Sequence, residues 1–268
     1  MPPPDDEFVT IRRTTVGLGT FISIEAISLA VAAGGRFALD GACSVFEAVE
    51  VAMHPTRSSS DLVAIACAAS GEKVAVQAPT FEVLSFAHRL WRASGGLFDP
   101  CVPEQPGRFG DLELIEPRYV RRLGPAVALD LGGIAKGFAI DWAVDALRAA
   151  GCVAGLVNAG GDVRVFGGGR HTIEIRIEDA TPSQVVLENE ALAVSAPKSS
   201  RSPGEHRGFY SPVTGQQVLA RPVAVRASTA SVADALTKCA IVCPPELLQR
   251  LLSDHGACLV DLPPGRHG

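Results

Sequence analysis

Two glycine pairs, each followed closely by a charged residue, stand within one short stretch of the chain. Gly132-Gly133 precedes Lys136, and Gly160-Gly161 runs directly into Asp162. Glycine lets backbone approach a ligand closely and adopts φ > 0 without strain. A helix opening near Gly137 would direct unpaired N–H groups at an anion. With Lys136 beside it, the pattern suggests a phosphorylated ligand. A third cluster lies downstream, where Asp234 and Lys238 sit among the apolar residues Ala233, Leu236, Ala240 and Ile241. A carboxylate in such surroundings wants a cation, a metal or a hydrogen-bonding cradle. Hard metals take oxygen ligands, and Asp234 and Thr237 supply two.

Each motif also has a purely structural reading. The segment Leu129 to Asp141 satisfies neither the P-loop pattern, because Phe138 follows Lys136-Gly137, nor Gly-x-Gly-x-x-Gly. A tight strand-to-helix turn with a solvated lysine accounts for it equally well. Gly-Gly-Asp is common hairpin chemistry. Asp234 and Lys238 have the spacing of an ordinary helix ion pair, worth about 0.2–0.5 kcal/mol. Of six histidines, only His206 lies in a glycine-rich loop near the other signals.

The elements that must position these residues follow from periodicity and punctuation. Residues 1–10 read as a tail, and 11–268 as a single domain. Thr14 to Leu29 alternates as an opening strand, and Gly41 to Met53 has helical spacing. Ser58-Ser59-Ser60-Asp61 reads as a loop with an N-cap, starting a short turn at Leu62. Thr80 to Ser94 is an amphipathic helix ended by Gly95-Gly96. Val127 to Leu131 reads as a strand and Gly137 to Ala150 as a helix. Ala154–Asn158, Val163–Phe166, Thr172–Glu178, Ala191–Val194, Val223–Ala227 and Cys258–Leu262 read as strands. Ser228–Val242 and Glu246–Leu252 read as helices, and Lys198 to Gly208 as a mobile loop. Strands and helices mix without strict βαβ alternation, which predicts an α+β fold.

Composition narrows the function. The chain has 268 residues, 47% hydrophobic and 20% charged, which suits a globular protein with a substantial core. A net charge of −5 without a basic run argues against nucleic-acid binding through a basic face. No window approaches the ~20 apolar residues of a membrane span. The opening Met-Pro-Pro-Pro-Asp-Asp-Glu lacks the apolar segment of a signal peptide or lipoprotein leader. The seven cysteines are scattered and form no Cys-x-x-Cys pair. Reduced thiols in a reducing compartment, and hence a cytoplasmic location, are expected.

Seven short segments, in order, resemble the ApbE family of FAD:protein FMN transferases. Gly17-Leu18-Gly19-Thr20 is similar to its Met-Gly-Thr segment, Ser60-Asp61-Leu62 to Ser-Glu-Leu, and Gly95 to Pro100 to Asp-Gly-Ala-Phe-Asp-Pro. Asp130 to Asp141 is similar to the central motif, and Asn158-Ala159-Gly160-Gly161-Asp162 matches Asn-x-Gly-Gly-Asp. Pro212-Val213-Thr214-Gly215 resembles the end of His-x-x-Asp-Pro-x-Thr-Gly, and Ala233-Asp234-Ala235-Leu236 matches Ala-Asp-Ala-Leu. The resemblance implies an ApbE-like, T-fold-related architecture of mixed sheets with packed helices. It implies FAD as substrate, Mg²⁺ as cofactor, and transfer of FMN to a threonine hydroxyl of an acceptor flavoprotein.

The same resemblance assigns roles. Leu18, Asp130, Gly132, Gly133, Lys136, Asn158, Gly160, Gly161 and Asp162 would contact the flavin nucleotide. Asp234, Thr237 and the backbone carbonyl of Ala135 would hold the metal. Several positions depart from the family pattern. Its catalytic histidine falls on Gly208 and its aspartate on Ser211, leaving Thr214 in place and His206 two residues earlier as a substitute base. Its metal-binding threonine falls on Lys238, with Thr237 one position early, and its Thr-Ser-Gly segment appears as Ser195-Ala196-Pro197. An ammonium at 238 would sit where Mg²⁺ sits and pair with Asp234. Phosphoryl transfer needs anion neutralisation and a base for the attacking hydroxyl, so His206, Lys238 and Thr214 are the candidate catalytic residues. A flavin-binding protein without catalysis and an FAD pyrophosphatase are the rival readings.

Overall fold

A computed structural model describes residues 8–29, 34–103, 105–177, 181–196, 209–218 and 221–263. The chain opens with a long hairpin of β1 (Phe8–Gly17) and β2 (Thr20–Leu29), paired from Phe8–Leu29 to Gly17–Thr20. The single strand expected over Thr14 to Leu29 is therefore two. Its turn, Leu18-Gly19, has φ of 50° and 69°, the left-handed pair of a type I′ hairpin turn. Leucine is an unusual occupant there, and concealed the turn from a reading by residue type. Residues 8–10, read as tail, pair with Ile27 to Leu29; residues 1–7 lie outside the described residues.

The next elements are α1 (Gly34–Met53), α2 (Asp61–Cys67), β3 (Lys73–Ala75) and α3 (Ala78–Ala93). Within the loop read to carry the cap, Ser60 is the capping residue, accepting from the Val63 N–H, and the helix opens at Asp61, one residue before the expected Leu62. A 3₁₀ turn (Phe109–Asp111) leads to β4 (Leu112–Ile115) and β5 (Tyr119–Arg122), which form a small sheet with β3. Val127 to Leu131 is not a regular strand. It makes one isolated bridge, Leu129 to Cys101, with Val102 donating to the Ala128 carbonyl. Pro100 and Pro103 have no N–H to extend that pairing into a ladder.

The second half supplies α4 (Ala135–Ala149), β6 (Ala154–Ala159), β7 (Asp162–Phe166), β8 (His171–Ile175), β9 (Ser183–Leu187) and β10 (Ala191–Ser195). It continues with β11 (Phe209–Tyr210), β12 (Gln217–Val218), β13 (Val223–Ala227), α5 (Ala230–Val242), α6 (Pro245–Asp254) and β14 (Cys258–Val260). The main sheet runs β1-β2-β6-β7-β10-β13-β14, and every described ladder is antiparallel. Helices α1, α4 and α5 cover one face. The β8–β9 hairpin packs on the other, where Ile175 and Leu187 meet Val163, Val165 and Leu192. The architecture is the expected α+β, with packed helices over antiparallel sheets.

Alternation along β7 decides what the helices see. Val163 and Val165 point to the hairpin, so Asp162, Arg164 and Phe166 point to the helical side. On β10 the same rule sends Ser195 toward α5. Helices α4 and α5 cross at Gly137, where a Cβ would lie 2.4 Å from the Ala230 carbonyl oxygen and 2.7 Å from the Ser231 Cα. Both are backbone atoms, so a larger side chain forces the helices apart. Gly137→Ala is expected to cost about 1–3 kcal/mol, despite the better helix propensity of alanine. Equilibrium urea unfolding checks this; an unchanged midpoint with unchanged slope would refute so close a crossing.

Candidate functional site

The site forms where the N-terminal turn of α4 meets α5 and the helical faces of β7 and β10. Helix α4 opens at Ala135, two residues before the expected start. The Ala135 N–H donates to the Leu131 carbonyl, 2.8 Å away. The Gly137 N–H donates to Asp234 Oδ2 at 3.1 Å. The expectation that these N–H groups face a bound anion is thus corrected at Ala135 and Gly137. At Gly137 the anion is the protein's own carboxylate, brought there by the close helix crossing.

Four charges gather at this point. Lys136 pairs with Asp162 and lies 3.9 Å from Asp234 Oδ2. Asp234 is fully buried and accepts from Lys238 Nζ through Oδ1 at 2.8 Å. Burial pushes the Asp234 carboxyl up. The charges of Lys136 and Lys238, with the hydrogen bonds from Lys238 and the Gly137 N–H, outweigh that and hold it below the usual carboxylate range. Asp162 also accepts from the Val194 N–H at 3.0 Å, which joins β7 to β10 at the base of the site.

Lys238 Nζ sits among oxygens. It donates to Asp234 Oδ1 and Ser195 Oγ at 2.8 Å each and to Thr237 Oγ1 at 3.0 Å, with the Asp234 carbonyl 3.4 Å away. Thr237 in turn donates to the Asp234 carbonyl at 2.7 Å, and its Oγ1 lies 2.7 Å from Ser195 Oγ. The lysine stem crosses Gly133, where a Cβ would come within 3.1 Å of the Lys238 Cγ. The ion-pair reading of Asp234 and Lys238 and the cradle reading therefore describe the same atoms.

Two cavities flank the turn before α4. The larger, about 530 Å³, is lined by Cys101, Asp130, Gly132, Gly133, Tyr210 and Lys238, among others. The smaller, about 340 Å³, is bordered by Leu18, Glu50, His54, Asp130, Gly132 and Lys136, with Ala135 beside them. Asp130 and Gly132 belong to both walls, and Asp130 Oδ1 holds the turn by accepting from the Gly132 N–H at 2.8 Å. Both volumes fall within the ~300–1,000 Å³ of small-molecule sites. Burial, then the neighbouring Asp99 carboxylate, pushes the Cys101 thiol up and keeps it protonated.

The candidate residues separate into groups. Leu18, Asp130, Gly132, Gly133, Lys136, Ala135 and Lys238 line the cavities, with Asp162, Asp234 and Thr237 buried behind them. Asn158, Gly160 and Gly161 line neither of these two cavities. They form the β6–β7 hairpin turn, with Gly160 and Gly161 at φ of 62° and 98° and the Asn158 side chain accepting from the Gly161 N–H. Thr214 stands exposed in the β11–β12 turn, where its Oγ1 accepts from the Gln216 N–H. His206 and Gly208 lie outside the described residues, as does the whole loop read over Lys198 to Gly208.

Sequence reading passed over Ser195, Glu50, His54 and Tyr210 as site residues. Ser195 stood in view as a departure from the family segment, but only pairing of β10 against α5 shows what its hydroxyl does. Glu50 accepts from the Leu18 N–H at 3.0 Å and so fixes the opening hairpin against α1. Among the described residues, no group of three or more His, Cys, Asp or Glu is arranged to hold a metal ion, and no helix is long and apolar enough to cross a membrane.

Comparison with known structures agrees with this architecture. The flavin transferase ApbE from Vibrio cholerae superposes with a TM-score of 0.78 at 21% identity, over 94% of this chain and 93% of that one. The flavinyl transferase ApbE from Pseudomonas stutzeri, in its apo form, gives 0.78 at 20% over 97% and 92%. The ApbE protein from Thermotoga maritima gives 0.79 at 20% over 94% of each chain. At such identities the likeness is one of fold. No curated protein matches the chain by sequence. The sequence profile of the ApbE family, however, matches residues 18–104 and 102–260, nearly the whole chain from the first hairpin turn to the last strand. The chain belongs to the ApbE family.

Proposed function

We propose that this protein is a flavin transferase that takes FAD as donor and moves FMN to a threonine hydroxyl of an acceptor flavoprotein. The observation that carries the reading is the pair of cavities meeting at Asp130 and Gly132, with Lys136 at the helix opening beneath. A dinucleotide has two bulky ends joined by a narrow, charged pyrophosphate. Two cavities divided by a glycine turn suit that shape, because glycine lets backbone come close to the bridge. Leu18, Gly133 and the other wall residues would contact the nucleotide, and Lys136 would bias the turn toward negative charge. In the reaction the threonine oxygen bonds to the FMN phosphorus, the pyrophosphate bond breaks, and AMP departs. The hydroxyl proton passes to a base, for which His206 is the candidate, with Thr214 nearby in sequence. The seven cysteines are scattered in sequence with no Cys-x-x-Cys pair, which suits a reducing compartment such as the cytoplasm.

Magnesium is the cation that the family resemblance implies. The oxygens it would take from Asp234 and Thr237 are engaged by Lys238 Nζ. These residues, as they stand, do not fit a divalent ion. That observation also favours a second reading, in which the protein binds FAD without transferring FMN. The two are separated by incubating the protein with FAD and a candidate acceptor flavoprotein, then weighing the acceptor by mass spectrometry. Gain of one FMN supports transfer. Tight FAD binding with an unmodified acceptor, when an active relative modifies the same acceptor, supports the binding reading. AMP and FMN released without acceptor would indicate an FAD pyrophosphatase.

A further inference from the structure

We infer that Lys238 is the resident cation of this site, and that the protein works on its ligand without a divalent metal. The oxygen cage is complete around the ammonium. A lysine ammonium has three donors, and three oxygens, from Asp234, Ser195 and Thr237, lie 2.8, 2.8 and 3.0 Å from Nζ. The protons around it are also accounted for. Thr237 donates to the Asp234 carbonyl, which leaves Ser195 to donate to Thr237 and both hydroxyl oxygens to accept from Lys238. Lys238 therefore has no donor left over for a phosphate in this arrangement. Its role is to place a fixed positive charge in the wall of the larger cavity, where its side chain is 21% exposed.

Charge and geometry both act against a metal. The cluster holds two carboxylates, Asp162 and Asp234, against two ammonium groups, Lys136 and Lys238. A dication would enter a balanced site and meet a like charge at contact distance. Mg²⁺ also needs oxygens at about 2.0–2.1 Å in octahedral array, whereas this cage is spaced for an N–H···O donor. Gly133 suits the device, since a Cβ there would press on the lysine stem, 3.1 Å from Cγ and 3.2 Å from Cε, on its way to the cage from α5. The inference rests on the flavin reading above only for the nucleotide arm of its test.

The test uses Mn²⁺ alone as the probe, followed by its electron paramagnetic resonance signal on the full-length protein. Wild type is expected to show no saturable Mn²⁺ binding that depends on Asp234. Lys238→Ala, which empties the cage and leaves Asp234 uncompensated on that side, is expected to bind Mn²⁺ at least about tenfold tighter than wild type, as removal of a like charge at contact distance requires. Lys238→Met, which removes the charge but keeps the cage filled, should not gain this affinity. Circular dichroism establishes that each variant is folded. Wild-type binding abolished by Asp234→Asn would overturn the inference, as would a folded Lys238→Ala that gains no affinity. Should Lys238→Ala not fold, the wild-type result with Asp234→Asn decides. In a parallel arm, FAD binding to wild type is expected to be unchanged by EDTA, and loss of binding on chelation would overturn the inference. Failure of wild type to bind FAD at all, with or without Mg²⁺, would instead count against the flavin reading and leave the Mn²⁺ arm to decide this one.

Discussion

Asp141→Ala is expected to cost about 3–5 kcal/mol of folding stability, the range for removing one partner of a buried ion pair. The Asp141 carboxylate joins three elements. It accepts from the Ala230 and Ser231 N–H groups at 2.9 Å each, and from Arg164 on β7 at 2.8 Å. The two N–H groups open α5, where a helix has no carbonyl partners of its own. Both side chains are nearly buried, at 10% exposure for Asp141 and 12% for Arg164. Alanine would leave a guanidinium and two amides without their acceptor. Urea unfolding followed by circular dichroism measures the loss, and a value under about 1 kcal/mol would mean that water replaces the carboxylate freely. The added change Arg164→Met removes the stranded charge, so the double variant should recover part of the loss.

Lys136→Met is expected to cost a similar amount, about 3–5 kcal/mol, for a different reason. Here the cation is lost and two carboxylates remain, with side-chain exposures of 2% for Asp162 and 0% for Asp234. Lys238 still compensates Asp234, so the uncompensated charge falls chiefly on Asp162. The hydrogen bond from Val194 to Asp162 supplies no counter-charge. Adding Asp162→Asn should restore more than half of the stability, because the double variant carries no stranded charge. If the double variant is no more stable than Lys136→Met, the loss in Lys136→Met does not come from a stranded charge on Asp162. Flavin binding should be lost in both variants if the charge at 136 serves the ligand as well as the fold.

The parts of this architecture that were legible in the sequence are those with local causes. The serine-rich loop Ser58 to Asp61 before an apolar run predicts a cap, and Ser60 supplies it. Val223 to Ala227 reads as a strand and is one, with the same limits. The hairpin at Leu18-Gly19 was hidden because leucine does not advertise a left-handed conformation. Strands β3, β4, β5 and β9 were missed because they are short or interleave charged and polar residues with apolar ones. Val127 to Leu131 has the composition of a strand, but its neighbour is a proline-bearing loop. At the site, Lys136, Asp162, Asp234 and Lys238 were all visible as charged residues in apolar or glycine-rich surroundings. Their mutual arrangement was not, because it depends on α4 and α5 crossing at Gly137 and Ala230, far apart in the chain. Ser195 shows the same limit, since alternation on β10 aims it only once the neighbouring strands are known.

The two oxygens of Asp234 face different tasks. Oδ2 takes the Gly137 N–H and ties α4 to α5, while Oδ1 takes the Lys238 ammonium. Position 234 is therefore bound to the architecture whichever cation the chain employs, whereas position 238 joins α5 to β10 only through its own ammonium, at the Ser195 hydroxyl. A lineage with this fold can change its counter-ion through one replacement on α5, with the carboxylate beneath left untouched. The cation is the interchangeable part of the apparatus, and laboratory evolution toward metal dependence should begin at 238 and leave 234 alone.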